Sequence, residues 1–223
     1  MTHAGDARLR LGVLVSGRGS NLEAILDASA RPDFPARVAV VVSDKEQAQA
    51  LDRARSRGVP AVWLSPKDFG DRAAYDAGLR RVLDEHRVGL VCLAGFMRIL
   101  TADFVRAYAG RILNVHPSLL PAFPGLHPQR RALEHGVKVA GATVHFVDEG
   151  VDTGPIVLQA SVPVHPDDTE ESLSARILTE EHRLYPEAVR LFAEGKLRIA
   201  GRKVVVRASG RPGAGAPASE ASL

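Results

Sequence analysis

An asparagine and a histidine lie two positions apart at the end of an apolar run, and a proline follows them at once. If this run forms a strand, Asn114 and His116 share one face of it, because side chains alternate with a period of two. Pro117 ends regular strand pairing at that point. An amide can donate hydrogen bonds to developing negative charge, and an imidazole can move protons near neutral pH. We therefore predict a functional site at the carboxyl end of a buried strand, where open α/β sheets hold their ligands.

A carboxylate, Asp152, follows much later in the chain, in a turn-like context before Thr153-Gly-Pro. A carboxylate beside an imidazole stabilises the imidazolium, so Asp152 would raise the pKa of His116 if the fold brought the two residues together. Each residue alone also fits a plainer role: a solvated histidine, an asparagine that opens a turn, or an aspartate bonded to nearby backbone N–H groups. The single cysteine, Cys92, lies in an apolar run and indicates a buried thiol rather than a nucleophile.

A glycine-containing turn, Ser16-Gly-Arg-Gly-Ser-Asn, joins the first apolar run to a predicted helix. Glycines let backbone N–H groups approach a phosphate, and a helix N-terminus favours an anion. The turn is neither a G-x-G-x-x-G fingerprint nor a P-loop. It also fits an ordinary strand-to-helix turn in which Ser20 or Asn21 caps the helix.

Alternating apolar runs and amphipathic stretches must position these residues. Strands are predicted at residues 9–16, 36–43, 59–64, 88–94, from about 110, 140–147, 156–164, 197–200 and 204–207. Helices are predicted at residues 21–29, 46–56, 72–86, 101–108, 128–135 and 169–192. The alternation in the first half indicates right-handed βαβ units. The predicted fold class is therefore α/β, with a Rossmann-like, open, mostly parallel sheet flanked by helices.

The composition is that of a globular protein with its own core: of 223 residues, 45% are hydrophobic and 25% charged. The formal net charge is only +3 and the basic residues are dispersed, which argues against a nucleic-acid-binding surface. No apolar stretch reaches membrane-spanning length and the N-terminus lacks a signal-peptide core, so we expect a cytoplasmic protein without membrane contact. We expect one domain over residues 1–207 and a disordered tail, rich in Gly, Ala, Ser and Pro, over residues 208–223.

Four separated motifs carry a family resemblance. They read VSGRGSNLEAIL at 15–26, LAGFMRIL at 93–100, NVHPSLLPAFPGLHP at 114–128 with GATVHFVDEGVDTGPI at 141–156, and EEHRLYPEAVRLF at 180–192. In this order they resemble the folate-dependent glycinamide ribonucleotide formyltransferases of purine biosynthesis, from about residue 11 to about residue 197. The resemblance implies the formyltransferase fold. It also implies transfer of a formyl group from the co-substrate 10-formyltetrahydrofolate to the amine of 5-phosphoribosylglycinamide, without a metal.

The resemblance also implies roles for individual residues. The reaction would be carried by Asn114, His116 and Asp152. The ribonucleotide would bind in a half over about residues 9–110, with contacts from Gly19, Ser20, Asn21 and, later in the chain, Glu181, and an auxiliary phosphate role fits Arg18. Folate would bind in a half over about residues 111–207 and nearby loops, with contacts from Arg72, Met97, Arg98, Ile99, Leu100, Asn114, Asp148, Glu149, Gly150, Val151 and Asp152. Supporting or purely structural roles fit His127 and His145.

Other readings stay open. Methionyl-tRNA formyltransferases share the SLLP stretch, but they would carry a sizeable basic C-terminal domain where this chain has a short Gly/Ala/Ser-rich tail. Formyltetrahydrofolate deformylases share the Asn/His/Asp set, but they would carry an N-terminal regulatory domain. A non-enzymatic nucleotide-binding module would leave that set unexplained. The eight histidines show no ligand spacing such as H-E-x-x-H, so no metal site is predicted. We expect small-molecule substrates and either a monomer or a homodimer.

Overall fold

The computed structural model describes residues 7–207. Over these residues nine strands and six α-helices follow one another, and a short 3-10 helix covers Pro66–Asp68. In chain order they are β1 (Leu9–Val15), α1 (Ser20–Ser29), β2 (Ala36–Ser43), α2 (Gln49–Ser56), β3 (Ala61–Trp63), α3 (Arg72–Glu85), β4 (Leu90–Leu93), α4 (Ala102–Ala107), β5 (Ile112–His116), α5 (Pro128–Glu134), β6 (Val139–Phe146), β7 (Ile156–Pro163), α6 (Glu170–Ala193), β8 (Leu197–Ala200) and β9 (Lys203–Val206). The predicted tail, residues 208–223, lies outside the described residues.

Within the described residues the strands form one sheet in the order β3-β2-β1-β4-β5-β6-β7-β9-β8. The strands from β3 to β5 pair in parallel, whereas β6 pairs antiparallel with both of its neighbours. The predicted fold class, an open and mostly parallel sheet flanked by helices, is confirmed. Along the chain, β2 and β3 are added on one side of β1, and β4 and β5 are then added on its other side. The loops after β1 and β4 therefore border the crevice in which such sheets bind ligands.

Two apolar clusters cover the two faces of the sheet. Leu11 and Val13 of β1 pack in a cluster that includes α1, α2 and α6, whereas Leu14 packs in a cluster with α3 and α4. This division follows the alternation of side chains along a strand that is buried on both faces. Cys92 is fully buried in the first cluster, and burial raises the pKa of its thiol to about 12.

Several predicted boundaries were wrong by a few residues. α2 begins at Gln49 rather than at residue 46, because a turn precedes it: the Lys45 N–H donates to the Ser43 hydroxyl, and the Ala48 N–H donates to the Lys45 carbonyl. β3 and β4 begin two residues later than predicted, because the Val59 N–H donates to the Ala54 carbonyl of α2 and the Val88 N–H donates to the Leu83 carbonyl of α3, rather than to a neighbouring strand. In the part of the chain that the structure describes, no helix has both the length and the apolar composition that a membrane span needs.

The N-terminus of α1 also differs from the prediction. Ser20 and Asn21 lie inside the helix, and Gly19 is its N-cap, with no side-chain hydrogen bond closing the end. Gly19 has φ 77°, a left-handed conformation that favours glycine. A Cβ at this position would also lie 2.6 Å from the Cβ of Ala50 on α2. The turn therefore needs glycine for two reasons, and it leaves the backbone N–H groups of the first helical turn open.

Candidate active site

β5 presents both polar residues of the predicted site. Asn114 pairs in register with Leu93, the last residue of β4, and His116 lies two positions further on, beyond the end of that neighbour. The two side chains share one face of β5 because they are two residues apart. His116 is buried and Asn114 is partly exposed. The amide therefore faces the crevice more openly than the imidazole does.

Asp152 reaches this pair from a loop that starts at the opposite end of β5. β6 is antiparallel to β5, and the Val147 N–H just after it donates to the Ile112 carbonyl at the beginning of β5. The loop then folds back over the sheet. Asp152 has φ 55°, a left-handed conformation that few residues other than glycine, asparagine and aspartate adopt at low cost. This backbone turn brings its carboxylate to the strand face that carries Asn114 and His116.

The Asp152 carboxylate joins the site through both oxygens. Its Oδ2 lies 3.3 Å from His116 Nδ1 and accepts the Gly125 N–H at 2.8 Å. Its Oδ1 accepts from Asn114 Nδ2 at 3.4 Å and lies 3.6 Å from His145 Nε2. The side chain is only 12% exposed. Asp152 is thus the centre of the polar cluster formed by Asn114, His116 and His145.

His116 has an acceptor on each side of its ring. Its Nε2 lies 2.9 Å from the Phe123 carbonyl, and its Nδ1 faces Asp152. Burial lowers the pKa of His116, and although the Phe123 carbonyl and the Asp152 carboxylate act in the opposite direction, the net shift is downward. The expected upward effect of Asp152 on the pKa of His116 is therefore present, but it does not decide the net shift. The reason is that the ring is almost fully desolvated, and desolvation disfavours the charged form.

The pKa of Asp152 is also lowered. Burial alone would raise it, but the nearby His145 ring, the Gly125 N–H and the nearby His116 ring together outweigh burial. The carboxylate is therefore ionised at neutral pH. An ionised carboxylate next to a histidine that is neutral at rest can stabilise that histidine once it takes a proton.

His145 belongs to this cluster, whereas the sequence left its role open. It lies on β6 directly opposite Asn114, is 2% exposed, and its Nε2 is 3.2 Å from Asn114 Nδ2. The feature of the sequence that could have indicated this role was a lone histidine inside an apolar strand. His127, the other histidine considered, is exposed at the N-terminus of α5 and has no contact with the cluster among the described hydrogen bonds.

The residues predicted to bind the ribonucleotide meet at the N-terminus of α1. Asn21 Nδ2 donates to the Glu181 carboxylate of α6 at 2.6 Å, across 160 residues of chain. Burial raises the pKa of Glu181, and the hydrogen bond from Asn21 only partly opposes it. Asn21 Oδ1 is buried without a partner in the described part of the chain. Gly19 and Ser20 adjoin this pair in the same turn, and Arg18 is exposed beside them.

The predicted folate-contacting residues divide into two groups. Met97 and Ile99, after β4, and Val151, in the loop before Asp152, are apolar and between 51% and 68% exposed. The Met97 N–H donates to Ser16 Oγ at 2.9 Å, which ties the loop after β4 to the turn after β1. Arg98 lies over the Tyr75 ring, 4.8 Å from its centroid, and Leu100 packs at the edge of the core. Met97, Ile99 and Val151 can offer apolar surface to a ligand, whereas part of the Leu100 side chain already packs against the core.

The loop before Asp152 uses its acidic side chains internally. Asp148 accepts from the Gly150 N–H at 3.1 Å and from the Thr153 hydroxyl at 2.6 Å. Glu149 pairs with Arg106 of α4 at 2.7 Å. Both carboxylates therefore have partners within the protein. Arg72, the first residue of α3, is exposed, and the structure places it in no contact with the Asn114 cluster. No cluster of His, Cys, Asp and Glu in residues 7–207 has a geometry that could hold a metal ion.

Comparisons with known proteins show which proteins the chain resembles. The chain is 47% identical to the phosphoribosylglycinamide formyltransferase of Escherichia coli (strain K12) over 191 residues, which are 86% of this chain and 90% of that protein. It is 52% identical over 194 residues to the trifunctional purine biosynthetic protein adenosine-3 of Drosophila melanogaster, and the match covers 86% of this chain but only 14% of that protein.

The fold matches equally well. The crystal structure of glycinamide ribonucleotide transformylase 1 from Symbiobacterium toebii superimposes with a TM-score of 0.88 at 58% sequence identity, over 91% of this chain and 95% of that one. The family model described as formyl transferase matches residues 9–189, which include the β5 pair, Asp152 and Glu181. A match over most of the described residues, together with these relatives, means that the chain belongs to the formyl transferase family.

Proposed function

We propose that this chain transfers the formyl group of 10-formyltetrahydrofolate to the amine of 5-phosphoribosylglycinamide, giving the formylated ribonucleotide and tetrahydrofolate. The observation that carries the proposal is the convergence of Asn114 and His116 on Asp152, each within hydrogen-bonding or ion-pairing distance of its carboxylate. Membership of the formyl transferase family and 47% identity to a named phosphoribosylglycinamide formyltransferase support this substrate pair.

Asn114 is the hydrogen-bond donor for the developing oxyanion. When the amine attacks the formyl carbon, negative charge grows on the formyl oxygen, and a fixed N–H donor stabilises it. Asn114 Nδ2 has two N–H bonds, and its contact with Asp152 is long, at 3.4 Å. That N–H is therefore the one that can turn to the formyl oxygen with little loss.

His116 and Asp152 handle the proton. The attacking amine must lose a proton, and the departing folate nitrogen must gain one. His116 is neutral at rest because burial lowers its pKa, so it can accept a proton at neutral pH. The resulting imidazolium has the Phe123 carbonyl at one nitrogen and the ionised Asp152 at the other. The pair can hold the proton until the leaving nitrogen takes it.

The turn before α1 is the proposed phosphate site. Gly19 brings the backbone close, and the uncapped N-terminus of α1 offers N–H groups to an anion. Asn21 and Glu181 lie beside it with polar atoms suited to the ribose hydroxyls, and Asn21 Oδ1 is an acceptor that still lacks a donor among the described residues. The turn after β1 is tied to the loop after β4. This tie keeps the two substrates' binding loops side by side.

The exposed apolar side chains after β4 and in the Asp152 loop are the proposed folate contacts. Met97, Ile99 and Val151 leave apolar surface in solvent that a flat heterocycle would cover. Small-molecule sites are commonly built this way, with apolar walls and a few polar groups that set orientation. Arg98 and Asp152 supply polar groups at the two ends of this region.

The test is a coupled-substrate assay. Protein is mixed with 10-formyltetrahydrofolate, with and without 5-phosphoribosylglycinamide, and folate absorbance is followed. We expect turnover only when the ribonucleotide is present. Turnover with water alone would support a deformylase and contradict the proposal. His116→Gln is expected to lower kcat by about 10²–10⁴-fold, the usual contribution of general acid–base catalysis. His165→Gln, which alters an exposed histidine outside the cluster, is the matched control and should keep full activity.

A further inference from the structure

His145 is a buried histidine with a polar contact at each of its ring nitrogens. It lies opposite Asn114 across the β5–β6 ladder, and the β6–β7 register shifts between Val144 and His145. The extra, unpaired residue of this irregularity is Val157 on β7, opposite the step from Val144 to His145. The ring is 2% exposed, and both of its nitrogens have polar neighbours.

The backbone determines which ring nitrogen carries the proton. His145 Nδ1 lies 2.8 Å from the carbonyl oxygen of Phe146. A carbonyl oxygen can only accept, so Nδ1 must be the donor and must bear hydrogen. In the neutral ring Nε2 then has a lone pair and can only accept. Asn114 Nδ2, 3.2 Å away, is the donor that this lone pair faces.

The orientation of the Asn114 amide follows from this arrangement. One N–H of Nδ2 is held by His145, which leaves the second N–H on the side of Asp152, at the longer distance of 3.4 Å. If the amide were flipped, the side-chain oxygen would face both the His145 lone pair and the Asp152 carboxylate, and three acceptors would meet without a proton. The neutral Nδ1–H form of His145 therefore selects one of the two amide orientations.

We propose that His145 is a positioning residue for the formyl-transfer reaction, which fixes the Asn114 amide so that its second N–H, the one in long contact with Asp152, is available to the reacting formyl oxygen. This inference rests on the proposed function. It assigns His145 no contact with substrate and no proton transfer of its own. An imidazolium at His145 would donate to Asp152 Oδ1, 3.6 Å away, and would repel the Asn114 N–H, so the role requires the neutral ring.

The first test reads the tautomer without any catalysis. Protein labelled with ¹⁵N-histidine is studied by long-range ¹H–¹⁵N NMR at about pH 8, above the ordinary histidine pKa of about 6.5. The His145 signals are assigned as those absent from His145→Gln. We expect a protonated Nδ1 and an unprotonated Nε2. A protonated Nε2, in either the other tautomer or the imidazolium, would overturn the inference even if the enzyme transfers formyl groups as proposed.

The second test uses kinetics. His145→Leu removes the acceptor, and we expect kcat to fall by about 10–100-fold with both KM values within about twofold, the range for a misplaced catalytic group. His145→Gln keeps an acceptor oxygen and should recover most of the loss. In an Asn114→Ala background, His145→Leu should lower kcat by less than about twofold more, because contacting residues that act together are not additive.

Three outcomes would overturn the inference. They are a His145→Leu variant with wild-type kcat, a loss that His145→Gln does not recover although its melting temperature is unchanged, and an equal loss with or without Asn114. If His145→Leu does not fold, the NMR result and the comparison of His145→Gln with wild type still decide whether the inference holds. If the wild type transfers no formyl group, the proposed function fails, but the NMR measurement still tests which ring nitrogen of His145 carries hydrogen.

Discussion

Asp152 affects its two histidine neighbours through different oxygens. Oδ2 faces His116 Nδ1 at 3.3 Å, and Oδ1 faces the Asn114–His145 pair. The carboxylate acts to raise the pKa of His116, yet burial acts more strongly and the net direction is downward. At neutral pH the histidine is therefore a free base next to an anion, which is the state that a proton acceptor needs.

Replacement of Asp152 by asparagine tests this balance. The change removes the negative charge that raises the pKa of His116, so burial acts with less opposition and the pKa falls further. We expect kcat to fall by about 10²–10³-fold, because the imidazolium loses its counter-charge. We also expect the acid limb of the kcat–pH profile to move to lower pH. Asp167→Asn, at an exposed position, is the control. An acid limb at the wild-type pH would show that Asp152 does not influence His116.

The ionised form of Glu181 lowers the stability of the fold, because the side chain is buried. Its pKa is raised by burial, so the folded protein holds the Glu181 proton more tightly than the unfolded chain does. The stabilisation is complete below the unfolded value of about 4.5 and is lost as the pH rises through the folded pKa. As the pH rises, ionisation of this buried carboxyl therefore costs stability. We infer that this residue is kept for binding rather than for stability.

Glu181→Gln mimics the protonated form and keeps an oxygen for the Asn21 amide. We expect its melting temperature near pH 7 to exceed that of the wild type by about 2–4 °C, the effect of about 1 kcal/mol in a chain of this size. The gain should vanish near pH 4, and the KM for the ribonucleotide should rise. Glu180→Gln, at the neighbouring and partly exposed position paired with Arg183, is the matched control. An equal gain at both pH values would contradict the explanation.

At the scale of elements, α6 determines how the two halves of the site meet. It spans Glu170–Ala193, packs on β6 and on α1, and carries Glu181 to the turn that begins α1. Its start is well defined: Thr169 Oγ1 accepts the Ser172 N–H, and Ser172 Oγ accepts the Thr169 N–H. This reciprocal pair satisfies two of the open donors at the end of the helix.

Thr169→Ala should weaken this start without touching the site. The loss of an N-cap oxygen costs about 1 kcal/mol, so we expect the melting temperature to fall by about 2–4 °C while kcat and KM stay unchanged. Thermal unfolding followed by circular dichroism measures the effect. Thr179→Ala is the matched control, because Thr179 is exposed within the same helix and bonds only to the Ala175 carbonyl. Equal effects of the two substitutions would rule out the capping explanation.

At the scale of the whole molecule, one buried hydroxyl joins α6 to the strands that border the site. Tyr185 is fully buried, and its hydroxyl lies 3.0 Å from the Leu93 carbonyl of β4 and 2.8 Å from the Leu113 carbonyl of β5. The burial of this ring raises the pKa of its hydroxyl well above the ordinary value, so it stays a donor at any physiological pH. The position of Asn114, next to Leu113, therefore depends on a helix far away in sequence.

Tyr185→Phe removes the donor and leaves two buried carbonyls less well satisfied. We expect a loss of about 1–3 kcal/mol in the free energy of unfolding, measured by urea denaturation. A lower kcat is expected as well, since β4 and β5 hold the reacting groups. Tyr108→Phe is the control, because that hydroxyl donates to the Asp84 carboxylate at the edge of the fold. A Tyr185→Phe variant that matches Tyr108→Phe in both stability and kcat would remove this role.

Local patterns in the chain were enough to predict the fold class and the most informative pair of the site. Apolar runs that alternate with amphipathic stretches determine a mostly parallel sheet, and the spacing of Asn114 and His116 determines that they share a face. These features depend only on residues close together in sequence. The same is true of the glycine-containing turn before α1, although the helix begins one residue earlier than predicted.

Only the tertiary structure decided how the remaining groups meet. The role of His145 depends on the register between β5 and β6, and the Asn21–Glu181 contact joins residues 160 positions apart. The pKa of His116 depends on how much water the packed fold excludes, and no short stretch of sequence encodes that quantity. Side-chain type and local spacing are properties of the chain itself, whereas register, burial and long-range contact arise only when the distant segments pack together.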